Sequence, residues 1–204
     1  DTMRALLKAL RDWVSSDKEP PPSRYPTLAQ GDLVPPTARA MGWPAIPGAP
    51  TPEGKLNSFL DYDFGPDFHY VDVSGAITRQ PPAVRELPSR VPRVNADGNE
   101  TAGIPSVQLQ VPIGTYTGWN VRRAGYGAGG GCGFIGGFIP FAKTRAARLA
   151  SRDPRPSLEE RYADHAGFVA RVRTAAAAQL RNGWLLPEDA DRIVDQAENS
   201  DVLR

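Results

Sequence analysis

Imidazole-based acid–base or metal chemistry has only His69 and His165 to draw on. His69 lies among Asp61, Asp63, Asp67 and Asp72. A histidine beside carboxylates is metal-ligand vocabulary, yet the spacing matches no closed zinc or calcium pattern, so the stretch reads as a solvated acidic turn region. His165 follows Asp164 at or near the buried stripe of a helical segment and reads as a packed helix residue. A serine nucleophile of the elbow type needs Gly-x-Ser-x-Gly, which the chain lacks. Its nearest serine, Ser74 in Asp72-Val73-Ser74-Gly75, reads as an ordinary turn residue. Cys132 is the single cysteine; with no His or Asp near it in sequence to lower its pKa, it reads as a small buried residue. From the residues alone, no catalytic set and no metal set is assigned.

Anion and nucleotide chemistry fares no better. Gly125 to Gly130 and Gly131 to Gly136 both satisfy G-x-G-x-x-G, but the chain then runs into Gly137 and Pro140, so the helix N-terminus that would hold a pyrophosphate is missing and no cofactor is expected. Lys143, Arg145, Arg148, Arg152, Arg155, Arg161, Arg171 and Arg173 form a mild basic excess that reads as a solvated helix face. A formal charge of +1 gives no general case for a nucleic-acid partner.

The elements that must position any site are unusual in composition. With 21 Pro and 20 Gly in 204 residues, long stretches must be irregular backbone. A single cysteine excludes an intramolecular disulfide, and the apolar run around Phe134 to Phe141 is far shorter than the ~20 residues a membrane span needs. A soluble chain is expected, with its compartment open.

Met3, Leu6, Leu7, Leu10, Trp13 and Val14 recur at helical spacing, predicting an amphipathic helix whose apolar face needs a partner layer. Residues 20–52 carry ten prolines yet also Tyr25, Leu28, Leu33, Val34, Met41, Trp43 and Ile46, which predicts an ordered extended wrap. From Leu56 to Ile77, partial alternation predicts two short strands broken at Gly65-Pro66, and Val107, Leu109 and Val111 predict a third. The end is helical. A short helix over 144–151 precedes the capping box Ser157-Leu158-Glu159-Glu160, which opens a helix running to about Asn182 with Gly183 at C′; Pro187 opens the last helix.

Several segments in order carry a resemblance: Asp97-Gly98-Asn99-Glu100-Thr101-Ala102-Gly103-Ile104, then Val111-Pro112-Ile113-Gly114-Thr115-Tyr116-Thr117-Gly118-Trp119-Asn120, then Gly137 to Ala142 and Asp153 to Tyr162. Together with the helix Arg4 to Val14, Pro20 to Pro26 and Leu185 to Ala190, they resemble the C-terminal part of a bacterial family called alpha/beta hydrolase domain-containing proteins. The resemblance implies an incomplete α/β-hydrolase-like fold with Pro/Gly-rich extended segments, a few short strands and C-terminal helices. It implies that the central sheet, the nucleophile elbow and a triad histidine lie upstream of Asp1, so no catalytic residue is carried over. The expected partners are that upstream core of the same polypeptide and a small ester or acyl substrate, with no nucleic acid. Tyr116, Trp119, Asn120 and Phe138 are expected to line or cover the cleft, or to anchor the extension to the core.

On this reading the chain divides into a core helix (1–19), the wrap (20–55), short strands and Gly-rich loops (56–142) and a helical subdomain (143–204). Alone it is expected to be catalytically inert. An independent binding module built on the Gly-rich aromatic loop, and a small enzyme using Cys132 or His69, are the alternatives.

Overall fold

The computed structural model describes residues 1–204 except 55, 57, 129, 133 and 134, and only the backbone of 131 and 132. The first helix, α1 (Thr2–Ser16), ends at Asp17, which takes a left-handed conformation and donates its N–H to Trp13 O. Its contacts are inverted relative to an ordinary surface helix. Arg4 pairs with Asp189 at 2.6 Å and Glu188 at 3.2 Å, and Asp1 pairs with Arg192, so a polar edge faces the body. Met3, Leu7, Leu10, Trp13 and Val14 are exposed, and only Ala5 is buried. A stripe of this width facing water is a surface another layer would cover.

The proline-rich stretch is more structured than an extended wrap. It holds β1 (Leu33–Val34) and one turn of helix, α2 (Ala38–Met41), where Thr37 Oγ1 accepts from Ala40 N and Gly42 closes the turn at φ 78°. Val34, Met41 and Ile46 are buried, while Tyr25 and Leu28 are exposed. Strands β2 (Leu60–Tyr62), β3 (Phe68–His69), β4 (Ser74–Gly75), β5 (Ala83–Glu86) and β6 (Val91–Pro92) follow. The break at Gly65-Pro66 separates β2 from β3 as the sequence predicts, but β2 pairs with β5 from the next proline-rich stretch and β3 pairs with β4. β1 pairs with β6.

The predicted strand over 107–111 is instead the helical turn α3 (Val107–Gln110). Ser106 Oγ accepts from Leu109 N as its cap, and Val107 and Val111, four apart, turn to one buried side. Three apolar residues spaced by two fit both periods, and the serine cap decides between them. Next come β7 (Gly114–Thr117), β8 (Asn120–Val121), β9 (Gly131–Cys132) and β10 (Gly137–Pro140). β7 pairs with β10 and β8 with β9. Among the described residues every sheet is a two-stranded antiparallel pair, as expected where prolines remove ladder donors.

The C-terminal third packs closely. α4 (Arg145–Ser151) is capped by Thr144, and α5 (Leu158–Tyr162) by the predicted Ser157–Glu160 capping box. The single helix expected from Ser157 to Asn182 is two: Ala163 takes φ 64°, and Asp164 caps a new helix, α6 (His165–Arg181), through Gly167 N. A Cβ on Gly167 would sit 2.1 Å from Tyr162 O, so the corner requires glycine. α7 (Pro187–Glu198) starts with its proline in the first turn, and Gly183 has φ 74° as a C′ glycine should.

The main core joins α3, Phe141, α5, α6 and α7 through Val107, Val111, Leu158, Tyr162, Phe168, Val172, Ala176, Leu185 and Ala197. A smaller core holds Val34, Met41 and Val94 with Trp43 and Val91 packed on it. The chain is thus mixed α and β. No helix among the described residues is long and apolar enough to cross a membrane.

Candidate functional site

The loop from Asn95 to Glu100 links the smaller core to β7, and each of its residues has a definable role. Asn95 Oδ1 accepts from Asp97 N at 2.9 Å and Asn99 N at 3.1 Å, folding the loop onto itself. Asn99, 0% exposed, donates Nδ2 to Gly114 O at 3.0 Å and accepts from Tyr116 N at 2.8 Å, clamping β7. The Asp97 carboxylate pairs with Arg161, and its carbonyl accepts from the Thr115 hydroxyl. Gly98 has φ 78°, and a Cβ there would meet Thr115 Cγ2 at 2.9 Å and Trp43 at 3.4 Å. Glu100 then projects where the loop leaves the clamp.

Beneath β7 lies Arg155, 2% exposed. Its Nη1 donates to Thr115 Oγ1 at 2.8 Å and Ile139 O at 3.0 Å, and its Nη2 donates to Pro140 O at 3.1 Å and Asp153 at 2.6 Å. Its guanidinium stands 5.0 Å from the Phe141 ring, with that of Arg161 4.0 Å from the same ring. Burial alone would raise the Asp153 pKa, but hydrogen bonds from the Arg155 side chain and backbone outweigh it and hold the carboxyl below its usual range. β7 and β10 are therefore fixed from below by a paired, fully hydrogen-bonded charge.

On this platform opens a cavity of about 520 Å³, between β7 and the segment 36–54. Trp43 and Trp119 meet at 5.5 Å between ring centroids, tilted by 52°, and Met41, Val91, Val94 and several prolines complete an apolar wall. Glu53 and Glu100 are the carboxylic acids among its described lining residues, which include no Ser, Cys, His, Lys or Arg. Glu100 is exposed, yet desolvation by the protein around its carboxyl raises its pKa. Such a site can bind and orient an apolar group; its described lining residues include no nucleophile–base pair.

Of the four residues singled out in the sequence, Tyr116, Trp119 and Asn120 line this cavity. Phe138 is not among its lining residues: 49% exposed, it stacks on Tyr116 at 5.2 Å and covers Gly114, where a Cβ would lie 2.5 Å from its ring. Trp43 and Glu100 escaped sequence reasoning as site residues. Glu100 ends the Asp-Gly-Asn-Glu run, so its signal was present in the motif. Trp43 reaches Trp119 only through the fold.

The structure also gathers residues that the sequence left separate. His69 Nδ1 lies 3.2 Å from Ser74 Oγ, and Ser74 Oγ donates to Asp72 Oδ1 at 2.6 Å. The order is wrong for a triad, because the aspartate takes the serine proton's hydrogen bond and does not orient the histidine. The hydrogen bonds from Ser74 lower the Asp72 pKa, making it a poor base, and all three residues are exposed. This is a turn.

His165 places Nδ1 2.8 Å from Val202 O and Nε2 3.1 Å from Glu198 O, clasping the C-terminal segment to α6. The basic group is more than the solvated face expected: Arg148 pairs with Glu160, Arg161 with Asp97, Arg173 with Glu198, and Arg155 is buried. The described part of the Gly-rich stretch lies between β8 and β10, with Gly131 and Cys132 paired to Val121 and Asn120. The Cys132 side chain lies outside the described residues. Among those described, no three His, Cys, Asp or Glu side chains converge on a metal position.

Fold and site thus define a mixed α and β chain that presents an apolar, aromatic cleft on a charge-clamped strand pair. Residues 1–195 match the alpha/beta hydrolase domain family, and the chain belongs to it. No curated protein and no solved structure gives a significant match.

Proposed function

We propose that the chain supplies the substrate-binding wall of an α/β hydrolase that acts on a carboxylic ester or related acyl substrate, with the nucleophile carried by a preceding part of the same polypeptide. The observation that carries this reading is the cavity of about 520 Å³ lined by Tyr116, Trp119 and Asn120, with no Ser, Cys or His among its described lining residues. Family membership supplies hydrolase-like chemistry. The two-stranded antiparallel pairs do not supply the strand-to-helix elbow that such chemistry needs.

The exposed apolar stripe of α1 supports the same reading. A helix held to the body by Arg4 while Leu7, Leu10 and Trp13 face outward is arranged to sit between two layers. The missing layer is the hydrolase core.

Kinetics of the longer polypeptide on a short-chain p-nitrophenyl ester test the assignment. Replacing Trp119 or Tyr116 with Ala lowers kcat/KM at least tenfold through contacts the cleft makes with substrate, whereas Phe138→Ala leaves it within about twofold, the size of an ordinary surface change. Equal effects at all three positions, tracking loss of thermal stability, would assign these residues to anchoring.

A further inference from the structure

Glu100 is out of place in an apolar cleft. Its carboxyl makes no hydrogen bond or ion pair among the described residues, although it lines a cavity walled by Trp43, Trp119, Met41, Val94 and prolines. No Lys, Arg or His is found among the described lining residues to neutralise it. An unpaired carboxylate in a cavity with aromatic walls is a site whose complement is positive.

We infer that this cavity holds a small organic cation with an apolar body, its charge placed against Glu100 and the faces of Trp43, Trp119 and Tyr116. The inference rests on the cavity being the substrate wall proposed above and narrows the substrate to an ester whose acyl or alcohol part bears an ammonium group. Each competing class is disfavoured by the same residues. A carboxylate-bearing ligand meets the charge of Glu100. A neutral apolar ligand fills the volume but strips remaining water from Glu100 and returns no hydrogen bond, which costs free energy. An ammonium gains from both the carboxylate and the ring quadrupoles.

The raised pKa of Glu100 agrees with this, because desolvation disfavours its charge until a cation is present. Binding then draws the carboxyl back toward its ionised form, so affinity for a permanent cation rises with pH across the titration of Glu100. A neutral ligand shows the opposite slope.

Three shape-matched probes test the proposal by calorimetric titration into the 204-residue chain: choline, its neutral isostere 3,3-dimethylbutan-1-ol, and the anion 3,3-dimethylbutanoate. Choline is expected to bind at least tenfold more tightly than the alcohol, with the anion weakest. Glu100→Gln, which keeps the shape of the side chain, is expected to remove at least fivefold of the choline preference while leaving the alcohol's affinity equal or better. Near-ultraviolet circular dichroism of the variant confirms that the Trp43–Trp119 pair is retained. If the alcohol binds as tightly as choline, or Glu100→Gln leaves the preference intact, the cation assignment is overturned and the apolar substrate wall stands. Preference for the anion overturns it as well. If none of the three binds, the cation assignment falls, while the ester kinetics of the Trp119 and Tyr116 variants decide the substrate wall separately.

Discussion

The helical region 143–204 and the segment 20–142 solve the same problem, stabilising a chain, by different means. In the first, α6 and α7 bury Phe168, Val172, Ala176, Ala190 and Ala197 against one another and against α3 and α5. In the second, five two-stranded pairs expose much of their apolar surface, including Phe59, Val71, Val73 and Val84, and the buried cluster is small. What holds the second region near the site is polar: the Asn99 clamp on β7, the Asp97–Arg161 pair and buried Arg155. Hydrophobic packing secures the helical region, and hydrogen bonds hold the strand pair that carries the cleft. A proline-rich chain cannot build wide ladders, so buried side-chain amides and guanidiniums substitute for them.

The contrast can be broken most sharply at Arg155. Arg155→Met leaves Asp153 buried without its partner and Thr115, Ile139 O and Pro140 O without a donor. The expected loss is about 3–5 kcal/mol in urea unfolding. Asn99→Ala should cost about 1–3 kcal/mol, because Gly114 O and Tyr116 N lose their partner in a fully buried position. Its Trp fluorescence should change as Trp43 and Trp119 lose their fixed approach. In the helical region, Ser157→Ala removes one cap and should cost about 1 kcal/mol.

The same capping box makes the helical region acid-sensitive. Hydrogen bonds from Arg148 and from the backbone and side chain of Ser157 hold the Glu160 pKa at about 2, against an ordinary 4.5. Because the folded value is the lower one, the stabilisation is complete above the ordinary pKa and is lost as pH falls from about 4.5 through about 2. Glu160→Gln should flatten the thermal-stability profile in that window and leave the pH 7 to 8 portion parallel to the parent. The smallest effect belongs to the exposed strands: Arg85→Ala breaks a surface pair with Asp61 on the β2–β5 ribbon and should move stability by less than about 0.5 kcal/mol. A cost near that of Asn99→Ala would show that the ribbon is more tightly integrated than its exposure suggests.

The same division decided what the sequence made legible. Ser157 with Glu160, Pro187 and Gly183 act through neighbours three or four residues away, and each marks the helix boundary it was read to mark. Val107 to Val111 misled because alternation by two also places residues 107 and 111 together on a helix. Ala163 broke an apparently continuous helix because Asp164 offered a second cap. The pairing of β2 with β5 had no local signal. At the site, Tyr116, Trp119 and Asn120 lay within one recognisable segment. Trp43 reaches them from a distant part of the chain, and Glu100 gains its meaning only from lining the same cavity.

The central claim is that this chain shapes a cleft while catalysis resides in a preceding part of the polypeptide. The most direct measurement is hydrolysis of a short-chain p-nitrophenyl ester by the 204-residue chain, alone and expressed in one polypeptide with the sequence encoded before Asp1. The account predicts turnover only in the longer polypeptide, reduced there by Trp119→Ala. Turnover by the 204-residue chain itself, lost on changing His69 or His165 to Ala, would contradict it.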